Sequence, residues 1–445
     1  MDAKLTEDQP LLRRIGRNFG KLLRGRGVAA VLELLTVALL ARSLTPEYFG
    51  HVVLIQTYVQ MVKGLFNFRL FETVVRFGIP IFEANNHLSL KKLLRLTLAI
   101  DIATSGLSFV VAVLAIPLAA RMFDWDDGLV LATMIFSITL LASGIGTPKG
   151  LLRLFDRFDV LGIQLMISPV LRLLGVFAVS MMGADVLSFI VVLALGSMVG
   201  NIYLIARGWM EFGRQVGGSV LRSPALKGWH EDFPSLRGFL LIVYAQSNLD
   251  NLPKHASTML AGTLLGPAAA GMLRIAREST KILSKPGALL QQVLFPNLVR
   301  LWGRGATNFR SILLRVIVVS GLFGLVFVVA SVFGGELLLS SALGAGYAPA
   351  APLMSLLLLS ATVELVVFML RTGGYAMGLA DKVLWLHLIS AVLYLTAFVT
   401  LTPRLGLIGP GIAACFSATI TLIGISILIY KGIQKAKPVP EQTPE

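Results

Sequence analysis

GPAAAGMLRIARESTKILSKPGALLQQVLFPN, residues 266–297, sets four cations into an apolar setting: Arg274, Arg277, Lys281 and Lys285, spaced by three, four and four. At about 100° per residue these side chains project within roughly an 80° arc of one helix face. Glu278 falls on the same face, one turn from Arg274 and within reach of Lys281. The face keeps a net positive charge. A cationic stripe against lipid is expensive, so in a membrane it has to face a bundle interior or a water-filled cavity.

The rest of the chain puts that helix in a membrane. Of 445 residues 56% are apolar and 14% charged, and mean hydropathy is +0.79. Apolar runs of roughly 17–25 residues recur throughout, as spanning helices require. Period-two alternation is absent, which excludes an outer-membrane barrel. Twelve spans are expected, at 27–42, 50–69, 94–119, 129–147, 160–182, 186–206, 237–262, 268–298, 312–334, 350–370, 383–402 and 407–430. The fold class is therefore all-α and polytopic.

The net charge of +15 would suggest nucleic acid in a soluble protein. Here it follows topology. With the N-terminus inside, 29 of the 39 Lys and Arg fall in cytoplasmic segments, three in outside loops and seven within spans. This asymmetry puts both termini in the cytoplasm and leaves no nucleic-acid partner to invoke. The polar start MDAKLTEDQP gives no sign of a cleaved signal peptide. The single cysteine, Cys415, says nothing about redox compartment.

The organisation expected is a basic cytoplasmic segment (1–26), a six-helix lobe (27–206), a cytoplasmic linker (207–236), a second six-helix lobe (237–430) and a tail (431–445). LLRRIGRNFGKLLRGR, at 11–26, suits equally a helix lying on anionic lipid or a simple topology anchor. The lobes share an internal repeat. Leu44-Thr-Pro46-Glu-Tyr-Phe-Gly50 and Leu265-Gly-Pro267-Ala-Ala-Ala-Gly271 both read L-x-P-x-x-x-G, offset by 221. Under that offset Glu33 meets Lys254, Gln56 meets Arg277 and Gln60 meets Lys281. Gln56, Gln60, Lys63 and Asn67 share one face of span two, so each lobe has a polar stripe. An even span number per lobe makes the repeats parallel.

Further polar groups sit within spans. Span seven carries Gln246, Ser247, Asn248, Asp250, Asn251, Pro253, Lys254 and His255. It reads as a cavity wall with Lys254 touching an anion, or as an Asp250–Lys254 pair that neutralises itself. Glu33 would carry a coupling ion or pair with a base such as Lys63. Asp101, Arg172 and Glu364 would be relay or cavity groups, or packing ion pairs. Gly196-x-x-x-Gly200 marks a close helix contact. The histidines lack ligand spacing, so no metal site is expected. No nucleophile–base arrangement suggests an enzyme.

Several stretches carry a family resemblance: ARSLTPEYFGHVV (41–53), Val75-Arg-Phe-Gly78, LLRLFDRFD (151–159), LLGPAAAGMLRIA (264–276), LFPNL (294–298) and PRLGLIGPGIAA (403–414). Together, in this order, they resemble the polysaccharide flippases of the multidrug/oligosaccharidyl-lipid/polysaccharide exporter superfamily. Lipid II flippases of that superfamily have two spans more. The resemblance implies a MATE-like V of two six-helix lobes around a cavity lined by spans one, two, seven and eight. It implies a bacterial inner-membrane protein that moves polyprenyl-diphosphate-linked oligosaccharide outward by alternating access, for O-antigen or exopolysaccharide assembly.

On that reading the diphosphate falls to Arg274, Arg277, Lys281 and Lys285, with Lys254 and Lys63. The sugars fall to Gln56, Gln60, Asn67, Asn248 and Asn251. Glu33, Asp250, Asp101 and Glu364 are the candidates for a coupling H+ or Na+, and no other cofactor is expected. Partners would be the glycan lipid, anionic membrane lipids and polysaccharide polymerase or assembly proteins. Two rivals remain: a cation-coupled drug exporter, which wants an acidic cavity, and a membrane enzyme on lipid-linked glycans, which wants a large outside loop.

Overall fold

The computed structural model describes residues 25–435 apart from 184, 219, 221–231 and 305; for 250, 285–297, 299–300, 303–304, 306–308 and 380 it describes the backbone alone. Among the described residues every regular element is helical. The elements are α1 (25–43), α2 (Pro46–Leu65), α3 (Leu70–Glu83), α4 (His87–Phe123), α5 (Asp127–Ser137), α6 (Gly146–Leu154), α7 (Phe158–Met181) and α8 (Val186–Gln215). They continue with α9 (Leu236–Leu265), α10 (Pro267–Arg304), α11 (Ala306–Leu343), α12 (Ala351–Ala376), α13 (Ala380–Leu405) and α14 (Gly409–Lys435).

Seven described segments are long and apolar enough to cross a membrane: α4, α5 through α6, α7, α8, most of α11, α12 with its preceding turn, and Asp381–Gln434, which takes in most of α13 and α14. The chain is a multi-pass membrane protein. Its outer surface is aliphatic, with Phe333 86%, Met182 80% and Leu114 75% exposed, a surface that hydrocarbon covers at no cost and water would not. Helices α1, α2, α9 and α10 fall outside the seven. The last three of these bear the polar stripes read from the sequence, which lower their hydropathy.

Helix ends follow local chemistry. Asn86, Asp126 and Asp185 cap α4, α5 and α8 by accepting from the amides of Ser89, Leu129 and Ser188 at 3.0, 2.8 and 3.1 Å. The Ser188 hydroxyl, at 2.8 Å, and its amide hold the Asp185 carboxyl below its ordinary value.

Three boundaries differ from expectation. Span two was placed at 50–69, but α2 stops at Leu65; Asn67 accepts from the Arg69 amide at 3.0 Å, Arg69 turns left-handed (φ 45°), and the chain restarts as α3. Span four is not one α-helix, because a 3-10 stretch, Ile138–Ser143, separates α5 from α6. The linker is shorter than 207–236, since α8 runs to Gln215 and α9 begins at Leu236. The basic segment 1–26 lies outside the described residues up to residue 24, as does the tail beyond 435.

Contacts divide the chain into two units. Unit 1 holds described residues up to Ser43 and Ile55–His255; unit 2 holds Leu44–Leu54 and Ala256 onward. Unit 1 has a core of Val74, Leu90, Leu94, Leu151 and Phe212. In unit 2, α12 is central and packs on α10, α11 and α14 around Phe309, Leu313, Val367, Met369 and Ile425.

The repeated motif has a structural meaning within unit 2. Pro46 and Pro267 open α2 and α10, the position where a missing N–H costs nothing. The two helices then cross at the motif glycines. A Cβ on Gly50 would lie 2.0 Å from the Pro267 carbonyl oxygen, and one on Gly271 would lie 3.3 Å from the Gly50 Cα. Only hydrogen fits between these backbones.

Candidate functional site

Unit 1 encloses a cavity of about 320 Å³. Gln60, Lys63 and Asn67 reach it from the α2 stripe, Ser168 and Arg172 from α7, Ser197 and Asn201 from α8, and Asn251 and His255 from α9. Among the described residues that line it there is no Asp or Glu; the side chain of Asp250, the neighbour of Asn251, is not described. Two cations surrounded by amides and hydroxyls suit an anion with hydrogen-bonding groups attached.

Packing aims these groups. Gly196 and Gly200 let α7 and α8 meet closely: a Cβ on Gly196 would sit 3.2 Å from the Arg172 amide nitrogen, and one on Gly200 2.1 Å from the Ser168 hydroxyl. The expected glycine contact is therefore present. Ser168 donates to the Gly196 carbonyl at 2.9 Å. Arg172 Nη2 donates to Ser197 Oγ at 2.5 Å, and Ser197 donates in turn to the Leu193 carbonyl at 2.6 Å. Arg172 lies close enough to Lys63 for their charges to repel. On α9, Tyr244 stacks on Phe68 at 4.6 Å and donates to the Leu65 carbonyl at 2.9 Å, which fixes the first part of α9 beside the end of α2. Asn248 and Asn251 donate one turn back, to the Tyr244 and Ser247 carbonyls, at 3.0 and 2.8 Å.

The α10 stripe in unit 2 is arranged otherwise. Arg274 Nε donates to Glu278 at 2.9 Å and Lys281 Nζ meets the other carboxylate oxygen at 2.6 Å, so one acidic group answers two cations. The Glu278 side chain is only 9% exposed. Arg277 donates to Thr258 Oγ1 at 2.7 Å, Ser257 Oγ at 2.6 Å and the Tyr394 hydroxyl at 2.9 Å. Lys285 lies on α10, with its side chain outside the described residues.

The remaining candidates are dispersed. Lys254 is exposed on α9, and the Asp250 side chain is not described. Gln56 is half-buried on α2 and does not line the cavity. Glu33 and Glu364 are exposed on α1 and α12. Asp101 is buried and accepts from the Thr147 amide at 2.6 Å, where α6 begins. A carboxylate that answers a helix N-terminus has a structural task, so the geometry of Asp101 does not favour an ion-coupling role.

The family profile described as polysaccharide biosynthesis protein matches residues 15–302. The chain belongs to this family. It is 25% identical over 292 residues to the inner membrane protein YghQ of Escherichia coli (strain K12), covering 65% of this chain and 81% of that protein. Its fold is that of the MOP superfamily. An inward-facing multidrug resistance MATE family transporter matches with a TM-score of 0.74 at 14% identity, over 92% of this chain and 96% of that one. The lipid II flippase MurJ, in an inward closed conformation, matches with a TM-score of 0.67 at 11% identity, over 92% and 88%.

Sequence reasoning named Arg172 as a relay or cavity group or a packing ion pair, and His255 as part of the span-seven wall; it missed Ser168, Ser197 and Asn201 in the cavity and Tyr394 as an anchor. Tyr394 is 117 positions from the Arg277 it holds, a pairing no local pattern reveals.

Proposed function

We propose that this polysaccharide biosynthesis family member is a flippase for polyprenyl-diphosphate-linked oligosaccharide in the bacterial inner membrane. It would move its cargo from the cytoplasmic to the outer leaflet by alternating access. The observation that carries the reading is the unit 1 cavity, which has Lys63 and Arg172 on its wall, amides and hydroxyls around them, and no carboxylate among its described lining residues. A diphosphate is a compact anion that Arg and Lys bind by charge-assisted hydrogen bonds. Gln60, Asn67, Asn201 and Asn251 offer the amide chemistry that sugar hydroxyls need. The polar head cannot cross roughly 30 Å of hydrocarbon unaided, whereas the prenyl tail can stay in lipid.

We assign the diphosphate first to Lys63 and Arg172. Within the α10 stripe we also assign Arg277 to anion binding; the hydroxyls of Thr258, Ser257 and Tyr394 orient its guanidinium. Arg274 and Lys281 share their charge with Glu278. We count α1, α2, α9 and α10 as spans, which makes twelve with both termini inside. The family description and the MurJ fold support a lipid-linked sugar as cargo and O-antigen or exopolysaccharide assembly as the setting. The absence of acids among the described lining residues disfavours the drug-exporter reading, since organic cations seek carboxylates.

The test is reconstitution in liposomes with a fluorescent polyprenyl-diphosphate sugar on one side and organic cations in parallel assays. Protein-dependent movement of the glycan lipid, without cation efflux, is the expected result. Cation efflux with no glycan movement over several sugar heads would overturn it.

A further inference from the structure

A second group of cations lies in unit 1 outside the cavity, around the Phe71 ring of α3. Arg153 Cζ is 4.3 Å from the ring centroid, Lys149 Nζ 4.7 Å and Arg69 Cζ 5.7 Å. A ring face attracts a cation, but three cations gathered on one ring also repel one another. Arg26 adds its field at both Lys149 and Arg153. The carboxylate at the cluster is Glu72, which pairs with Arg69 at 2.7 Å. Arg153 Nε is buried and has no hydrogen-bond partner among the described residues. A buried donor left without an acceptor, inside a surplus of positive charge, is the arrangement an incoming anion would complete.

The cluster adjoins the cavity. Asn67, on the cavity wall, accepts from the amide of Arg69, one of the cations at the Phe71 ring, at 3.0 Å. Lys63, one turn before Asn67, lines the same cavity.

We propose that Phe71, Lys149 and Arg153 form a loading site for the phosphate-bearing head of a lipid, joined through Arg69 and Asn67 to the cavity lined by Lys63 and Arg172. Arg153 donates to a phosphate oxygen, and Lys149 supplies a second cation at the same ring. The identity of the cargo rests on the flippase reading; the anion site does not. Two lipids carry the required chemistry, a prenyl diphosphate and an anionic phospholipid.

The experiment uses the full chain in phosphatidylcholine nanodiscs with farnesyl diphosphate as probe, titrated with and without phosphatidylglycerol. The Lys149→Gln/Arg153→Gln variant should lose about tenfold or more in affinity, as expected when charge-assisted bonds to phosphate are removed. Lys149→Arg/Arg153→Lys should stay within about threefold of wild type, since charge is kept. If the double Gln variant does not fold, Arg153→Gln alone should weaken binding about threefold or more. Competition by phosphatidylglycerol would make a bilayer phospholipid the occupant, and its absence would make it the diphosphate cargo. An affinity within about twofold of wild type in the folded Gln variant would overturn the site. Failure of the flippase reading looks different: wild type binds the probe normally yet moves no glycan lipid.

Discussion

The polar stripes of α2 and α10 occupy equivalent positions in the repeat, yet they hold their charge in opposite ways. The α10 stripe has more cations, but Glu278 answers Arg274 and Lys281, and Arg277 is fastened to Ser257, Thr258 and Tyr394. The α2 stripe contributes one cation, Lys63, to a cavity that also has Arg172 on its wall and no carboxylate among its described lining residues. Counting basic residues alone therefore does not say which stripe offers charge to an anion. What an anion meets is charge left over after the protein's own acids have been served, and a single buried glutamate one turn away decides that.

This contrast can be strained at several points. The largest effect should come from the motif crossing that both stripes share. Gly50→Val should abolish recovery of folded protein, because its Cβ would meet backbone at 2.0 Å. Gly271→Ala should cost less, about 1–3 kcal/mol, since its nearest neighbour is the Phe49 side chain. Size-exclusion profiles and thermal unfolding in detergent would rank the two, and equal behaviour would refute the crossing as described.

Next is Arg277→Ala, which removes a charged hydrogen-bond donor to the buried hydroxyls of Ser257 and Thr258. It should lower stability by about 2–3 kcal/mol, whereas Lys63→Ala, which breaks no hydrogen bond described here, should lower it by less than about 1 kcal/mol. Thermal shifts would check the order. A smaller effect is expected for Glu278→Gln, about 1–2 kcal/mol, because Arg274 and Lys281 are 31% and 42% exposed and solvent screens them. That variant should also make the α10 stripe more anion-avid, read as a steeper salt dependence of farnesyl diphosphate binding; an unchanged slope would count against the compensation argument. The smallest change belongs to Gln60→Ala and Asn67→Ala, which should alter preference among sugar heads by less than about tenfold while leaving the rate for the bare prenyl diphosphate intact.

Much of the architecture was legible because lipid exposure imposes long apolar helices with few exceptions. The L-x-P-x-x-x-G repeat was legible too, down to the prolines that open α2 and α10. The break at Ile138–Ser143 was not, since ITLLAS continues the apolar run of α5 with no proline or glycine to mark a change. For the site, the stripe faces could be read from helical spacing, and Glu278 was visible as a partner of either neighbour. That it serves both depends on rotamers. Arg172 was legible as a relay or cavity group or a packing ion pair; its place in the same cavity as Lys63 requires knowing that α7 faces α2. Asp101 bonds to the Thr147 amide 46 positions away, and a backbone amide has no sequence signature at all.

The most direct test of the account compares two variants in the liposome translocation assay: Lys63→Gln/Arg172→Gln, which removes the cavity cations, and Arg274→Gln/Glu278→Gln/Lys281→Gln, which removes the compensated triad as a unit. The account predicts that translocation of the polyprenyl-diphosphate sugar falls about a hundredfold in the first and stays within about threefold of wild type in the second. The reverse order, with the triad variant inactive and the Lys63/Arg172 variant transporting at the wild-type rate, would contradict it.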